Sequence, residues 1–167
     1  IALSQARLFN PHATIILLGK NKALARFQAQ SLKENNCLCP YDKLKKSSAH
    51  NEYIKRCVSK NFWRYTSERF LYLLDLMETF SLKNVFHLEN DNMLYADLEP
   101  LVAHFQKFYP GIAPTFDNDD RCIPGFVWIS EKKAMKRLAE YFVEKASIKK
   151  FPDMYIIGSF RKEYSPK

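Results

Sequence analysis

A chain of 167 residues, 47% hydrophobic and 14% aromatic, has enough apolar surface for one folded domain and is read here as a single unit spanning 1–167. Its formal net charge of +8 draws attention to polyanions, whether nucleic acid or an anionic membrane surface. Nothing approaches the ~20 consecutive apolar residues of a membrane span, and no signal-peptide pattern opens the sequence.

Ile1 to Phe9 has the pattern of the middle of an amphipathic helix without a cap, which leads us to expect an element, a first strand, upstream of it. Asn10-Pro11 stops this helix. Ala13 to Leu18 reads as a buried strand ending at Gly19, so helix and strand alternate as in an α/β chain. Lys22 to Gln30 has helical composition. Ser31 to Asn51 turns polar, with Pro40 and Lys43, Lys45 and Lys46, and reads as a loop whose lysines form a solvated face or meet a phosphate. Asn61 to Phe80 carries the strongest helical pattern, with Phe62, Trp63, Phe70, Leu73, Leu74 and Met77 on a broad apolar face. Val85 to Leu88 is a short buried strand that Met93 to Tyr95 resumes. Asp97 caps a helix with Pro100 in its first turn, running to about Tyr109. Ile112 to Phe116 and Pro124 to Ile129 are strands. Ser130 caps a helix with Ala134, Met135, Leu138, Phe142 and Val143 on its apolar side, Lys149 to Pro152 is a connector, and Asp153 caps a last short helix from Met154 to Phe160. The fold class is α/β, a mixed sheet flanked by helices.

The charge is unevenly distributed. Residues 1–84 hold 14 Lys and Arg against 6 Asp and Glu, whereas residues 85–167 hold 12 of each. Val85 to Asp120 contains seven acids, with Lys107 as its one basic residue. An acidic pocket facing a basic half suits a metal with a polyanionic small molecule better than a nucleic-acid groove, so no nucleic-acid partner is expected. Cys37, Cys39, Cys57 and Cys122 lack the paired spacing of a zinc site and are too few for a disulfide scaffold. Reduced, structural thiols fit a cytoplasmic protein, with peripheral contact at a membrane left open by the charge.

Glu89, Asn90, Asp91 and Asn92 interrupt the Val85–Tyr95 stretch with four oxygen-bearing side chains. In extended backbone Glu89 and Asp91 face the same side, beyond the carboxyl end of a strand, where open α/β sheets bind ligands. Buried carboxylates need a positive partner, and a hard divalent cation takes oxygen ligands and bridges to phosphate. The bland alternative is a polar turn with solvated acids. Asp117, Asp119 and Asp120 form a second acidic run beside Arg121, either a solvated loop or a site wall. Gly125, inside a strand pattern, marks a close approach of backbone and ligand. Arg64 and Arg69 make surface ion pairs, or one of them reaches the phosphates or the acidic loop. Asp153 is an N-cap, a sugar-hydroxyl contact or a base. His87 reads as a core histidine, and His12, His50 and His104 carry no signal. No P-loop, Gly-x-Gly-x-x-Gly, Ser-His-Asp or metal-spaced His motif is present.

These pieces, in this order, resemble nucleotide-sugar-dependent glycosyltransferases of the GT-A type, whose Rossmann-like sheet ends a central strand in an acid-x-acid motif that binds Mn²⁺ or Mg²⁺. Glu89-Asn90-Asp91 matches that motif, with Glu in place of the usual first Asp. Pro124-Gly-Phe-Val-Trp-Ile129 is similar to the glycine-containing strand that lines the donor sugar in glycogenin-like families, and Asp153-Met154 falls where those families carry an Asp-Gln pair. Phe62-Trp-Arg-Tyr-Thr-Ser-Glu-Arg69, His87-Leu-Glu-Asn-Asp91 and Thr115-Phe-Asp-Asn-Asp-Asp-Arg-Cys-Ile-Pro-Gly-Phe126 resemble a little-characterised group of bacterial and protist glycosyltransferases, over about Ala2 to Phe160. The opening strand of that fold, which helps hold the nucleotide base, is absent from this sequence.

The resemblance implies sugar transfer from a nucleoside diphosphate sugar to a hydroxyl of a glycan, lipid or protein acceptor. Glu89 and Asp91 would hold Mn²⁺ or Mg²⁺; Asn90, Gly125 and one of Arg64, Arg69 and Arg121 would contact the donor; Asp153, Asp119 or Asp120 would act as base, with Asp117 a further candidate. There are two rivals: another divalent-metal phosphoryl or nucleotidyl enzyme built on the same two acidic loops, and a non-catalytic module whose basic first half docks on nucleic acid or anionic lipid.

Overall fold

The computed structural model describes residues 2–59, 62–148 and 152–164. Its architecture is mixed α/β. Helix α1 (Ala2–Phe9) leads to strand β1 (Ile16–Gly19), then α2 (Asn21–Leu24), a 3₁₀ turn (Ala25–Phe27) and α3 (Gln28–Lys33). Strand β2 (Cys37–Pro40), a 3₁₀ turn (Tyr41–Lys43), α4 (Ser48–Arg56) and α5 (Phe62–Phe80) follow. The second half runs β3 (Lys83–Leu88), a 3₁₀ turn (Glu99–Leu101), α6 (Val102–Phe108), β4 (Ile112–Phe116), β5 (Cys122–Glu131), α7 (Lys132–Lys145) and α8 (Asp153–Tyr164).

The strands form two separate sheets among the described residues, where the sequence suggests one. β1 and β2 pair in parallel, Ile16 opposite Cys37 and Gly19 opposite Pro40. The parallel register requires a crossover, which α2 and α3 supply. The expected loop over 31–51 therefore contains a strand and the start of α4. Cys37-Leu-Cys-Pro40 is too short to show a period within its polar surroundings. The expected helix over 22–30 is broken by the 3₁₀ turn.

The second sheet has the order β3-β5-β4, antiparallel throughout, with a bulge between Pro114 and Thr115. β5 is central, and Val127, Trp128 and Ile129 are fully buried. On one face Trp128 packs with Phe86 and with Phe105 of α6, and its indole N–H donates to the Tyr109 carbonyl at 2.9 Å. The opposite face packs on α5, α7 and α8, whose Phe70, Leu74, Met77, Leu138, Phe142 and Ile157 form the main core. Helix α5 ends at Ser81, whose positive φ of 53° lets the Leu82 amide donate to the Met77 carbonyl at 3.1 Å.

Two local expectations fail for identifiable reasons. Met93 to Tyr95 forms no strand, and Met93 and Tyr95 are exposed, because the chain turns at Glu89–Asn92 and leaves the sheet edge. Ser130 does not cap α7: its hydroxyl donates to the Pro110 carbonyl at 2.9 Å, and β5 continues to Glu131, at the N-cap position.

Helix α8 crosses the β4–β5 connection closely at Gly158. A Cβ there would lie 2.0 Å from the Asp120 carbonyl oxygen, and backbone cannot swing aside as a side chain can. Gly158→Ala is expected to cost about 2 kcal/mol, read as a lower denaturant midpoint at unchanged slope.

Candidate functional site

The antiparallel order places one function-bearing feature. β3 and β4 both run opposite to β5, so their carboxyl ends emerge at the same edge of the sheet. Each end carries an acidic segment: Glu89–Asn92 after β3, and Asp117–Arg121 after β4. Leu88 lies opposite Phe126 and Phe116 opposite Cys122, so the second segment sits about 13 Å further along β5. The start of α8 meets this edge, because Arg69 joins its first residue to the first acidic segment.

Side-chain alternation explains that junction. His87 lies on the face of β3 that packs against α5, where its ring meets Phe70 edge to face at 5.6 Å. Glu89, two residues on, keeps the same side, and its amide still donates to the Gly125 carbonyl at 3.0 Å. It thus meets Arg69, the neighbour of Phe70 on α5. One guanidinium nitrogen of Arg69 donates to the Glu89 carboxylate, and another donates to the Asp153 Oδ2 at 2.6 Å. The side chains of Arg69 and Glu89 are each 28% exposed, while that of Asp153 is 5% exposed. Charged, the three carry one net negative charge.

Asp91 differs from its expected position. The Asn92 amide donates to the Glu89 carbonyl at 3.1 Å, closing a turn over Asn90 and Asp91, so Glu89 and Asp91 do not alternate along one strand. Asn and Asp favour such turns through their short polar side chains. Asn90 and Asp91 are exposed, and among the described residues neither carboxylate oxygen of Asp91 takes a hydrogen bond. The space expected for a ligand at Gly125 holds the Asn92 side chain, whose Nδ2 donates to the Gly125 carbonyl at 2.6 Å and would lie 2.6 Å from an added Cβ.

In the second segment Arg121 pairs with Asp117, and Lys162 of α8 pairs with Asp120. Asp119 is exposed. Arg121 is therefore an internal counter-charge. Of the two arginines on α5, Arg69 reaches the acidic loop and Arg64 does not: Arg64 donates to Glu68 at 3.2 Å, one turn along its own helix.

Two neutral groups lie under this site. Burial, with the Arg69 charge beside it, lowers the His87 pKa to about 4, and its Nε2 is inaccessible and without a hydrogen-bond partner. Burial, reinforced by Asp153, pushes the Cys122 thiol up to about 12, so it is no nucleophile at neutral pH.

A second polar cluster carried no signal in the sequence. His50, on α4, is fully buried between two acids of α5: its Nδ1 lies 2.5 Å from Asp75 Oδ2 and its Nε2 3.3 Å from Glu68 Oε1. Asp75 also accepts the Ser47 amide at 2.8 Å, and Ser47 caps α4 through the His50 amide. Tyr72 closes over the His50 ring edge to face at 4.5 Å, with Tyr41 stacked on it. Imidazole bonded to carboxylates through both nitrogens is doubly protonated. Burial opposes that charge, but the bonds to Asp75 and Glu68 outweigh it and raise the His50 pKa. Burial likewise opposes charge on Glu68, and its bonds to His50 and Arg64 prevail, lowering its pKa. The available clue was Glu68 and Asp75, seven residues apart on the side of α5 that holds Leu71; acids on a buried face need a cation.

Both shifts imply a pH dependence of stability. His50, with a raised folded pKa, stabilises fully below its unfolded value near 6.5 and progressively less as pH rises through its folded value. Glu68, with a lowered folded pKa, stabilises above its unfolded value near 4.3 and loses that contribution as pH falls through its folded value. The two together are expected to give a maximum between about pH 4.5 and 6.5, read from urea midpoints across pH. In His50→Gln the alkaline limb should flatten.

No family model, no curated protein and no solved structure matches this chain. Among the described residues no three His, Cys, Asp or Glu side chains gather as a metal cluster, and no helix is long and apolar enough to cross a membrane. The oxygen donors at the sheet edge nevertheless suit a hard divalent ion that completes its shell with substrate phosphate: Asp91 is unengaged, and Glu89 gives one oxygen to Arg69 and keeps the other.

Proposed function

We propose that this chain is a metal-dependent glycosyltransferase acting on a nucleoside diphosphate sugar, with a GT-A-like arrangement of its functional segments. The observation that carries the reading is the meeting of Glu89, Arg69 and Asp153 at the edge where β3 and β4 end, with the exposed Asp91 two residues beyond Glu89. That edge is negative within a chain of net charge +8. A bare diphosphate would be repelled by it, whereas a diphosphate carried with a divalent ion would be attracted.

Glu89 and Asp91 would hold Mn²⁺ or Mg²⁺, which when bound supplies a Lewis acid for the leaving diphosphate. Arg69 fixes Glu89 against the sheet and leaves Asp91 to solvent. Asp153, nearly buried and held by Arg69, positions that guanidinium, which makes it a poor proton acceptor for an incoming hydroxyl. The exposed Asp119 is the better base, with Asp120 tied to Lys162. Asn90, beside Asp91 at the turn, is free to contact the donor. The acceptor is a glycan, a lipid or a protein.

The test is turnover of a panel of uridine and guanosine diphosphate sugars with Mn²⁺, following release of the nucleoside diphosphate. Release is expected with metal and not with chelator, and Glu89→Ala should lower it. Cleavage of simple phosphoesters with every sugar nucleotide left intact would instead support the phosphoryl-transfer alternative.

A further inference from the structure

The turn that carries Asp91 is held by a single atom of β5. The Gly125 carbonyl oxygen accepts the Glu89 amide at 3.0 Å and the Asn92 Nδ2 at 2.6 Å, so the first and last residues of the turn share one acceptor. A carbonyl oxygen has two lone pairs, enough for both donors. The Asn92 amide closes the turn by donating to the Glu89 carbonyl at 3.1 Å. Asn90 and Asp91, the two central residues, are exposed and take part in none of these bonds. Gly125 itself is buried in the central strand, where a glycine ordinarily weakens the strand. Its φ is not positive, so backbone conformation does not call for glycine there. Space does: an added Cβ would lie 2.6 Å from Asn92 Nδ2 and 3.5 Å from Asn92 Cγ. The glycine and the asparagine fit each other.

We propose that Asn92 is a positioning residue for divalent-metal binding at this edge: its side chain, seated on Gly125, sets where the Asp91 carboxylate stands relative to Glu89. The inference rests on the reading of Glu89 and Asp91 as the metal's protein donors. Glu89 is fixed by the ladder and by Arg69, whereas Asp91 accepts no hydrogen bond among the described residues. The position of Asp91 therefore depends on the turn, and the turn depends on Asn92. Two carboxylates serve one ion well only when the backbone between them is ordered beforehand; a loose turn must be ordered at the moment of binding, which weakens it. Removing the Asn92 side chain leaves no buried group unsatisfied, because the Gly125 carbonyl keeps the Glu89 amide. The obstacle to a Cβ at Gly125 is the far end of an exposed side chain, unlike the backbone met at Gly158. Gly125→Ala should thus displace Asn92 at little cost to the fold.

The test is titration with Mn²⁺ alone, followed by loss of the free-ion electron paramagnetic resonance signal. It compares wild type, Asn92→Ala, Gly125→Ala and the double variant, with the urea midpoint and amide exchange at position 92 measured on each. Each single variant is expected to weaken Mn²⁺ binding by about tenfold, the low end for loss of a support behind a metal ligand. Exchange at position 92 should become faster while the urea midpoint changes little. The double variant should bind no more weakly than either single one, because both substitutions remove the same contact. A merely structural role would lower the midpoint and leave the affinity of the folded protein as it was. Unchanged Mn²⁺ affinity in Asn92→Ala, or losses that add in the double variant, would overturn the inference and leave Glu89 and Asp91 as metal donors. Wild type that takes up no Mn²⁺, or uptake that survives Asp91→Ala, would instead remove the metal reading itself, and the inference with it.

Discussion

Asp75→Ala is expected to lower the unfolding free energy by about 3–5 kcal/mol, a large fraction of the ~5–15 kcal/mol typical of a domain. Asp75 is fully buried and makes two contacts that nothing else can replace: the short bond to His50 and the one to the Ser47 amide. Its removal leaves a buried imidazolium with Glu68 alone and strips a hydrogen bond from the start of α4. The loss exceeds that of an exposed pair because the desolvation of His50 remains after its compensation has gone. Asp75→Asn keeps the shape and an acceptor for Ser47, so it should cost less and lower the His50 pKa. The urea midpoint and the imidazole NMR titration check both. A change below about 1 kcal/mol for the alanine variant would mean that α4 and α5 are not joined through this cluster.

Arg69→Ala should be the second large effect, about 3 kcal/mol, at the low end for a broken buried pair because Arg69 and Glu89 keep some solvent. Asp153 would be left nearly buried without its cation. Its position in the first turn of α8 offsets part of this, since a helix N-terminus favours negative charge. Arg69→Lys should recover only part of the loss, because one ammonium cannot reproduce a fork that holds two carboxylates on two elements. Charge repulsion offers a sharper test: Asp153→Asn with Arg69→Met should be more stable than Arg69→Met alone. A double variant no better than the single one would show that Asp153 is not the group Arg69 compensates.

What the sequence made legible follows from which signals are local. Helix α5 was readable because its apolar residues recur over many turns, and β3, β4 and β5 because short apolar runs are bounded by turns. The sheet's order was not readable. Nothing in Ile112–Phe116 or Pro124–Ile129 says that β5 lies between its neighbours and reverses both. That reversal is what brings the two acidic segments to one edge. The shared side expected for Glu89 and Asp91 does not hold: the ladder extends one residue past Leu88, to Glu89, and the Glu89–Asn92 turn then begins. His50 gives no signal because a lone histidine at the start of a polar helix resembles a surface residue. Its partners lie 18 and 25 residues away, and only the packing of α4 on α5 joins them.

The acidic edge is the centre of this account, and calorimetric titration with uridine and guanosine diphosphate tests it most directly. The titrations compare Mn²⁺ with chelator, in wild type and in Asp91→Ala. Asp91 is exposed and accepts no hydrogen bond among the described residues, so its substitution should leave the urea midpoint unchanged. The account predicts binding of one of the two nucleotides with Mn²⁺, none with chelator, and loss in Asp91→Ala. Binding that ignores both the metal and Asp91, or no binding of either nucleotide with metal present, would contradict it.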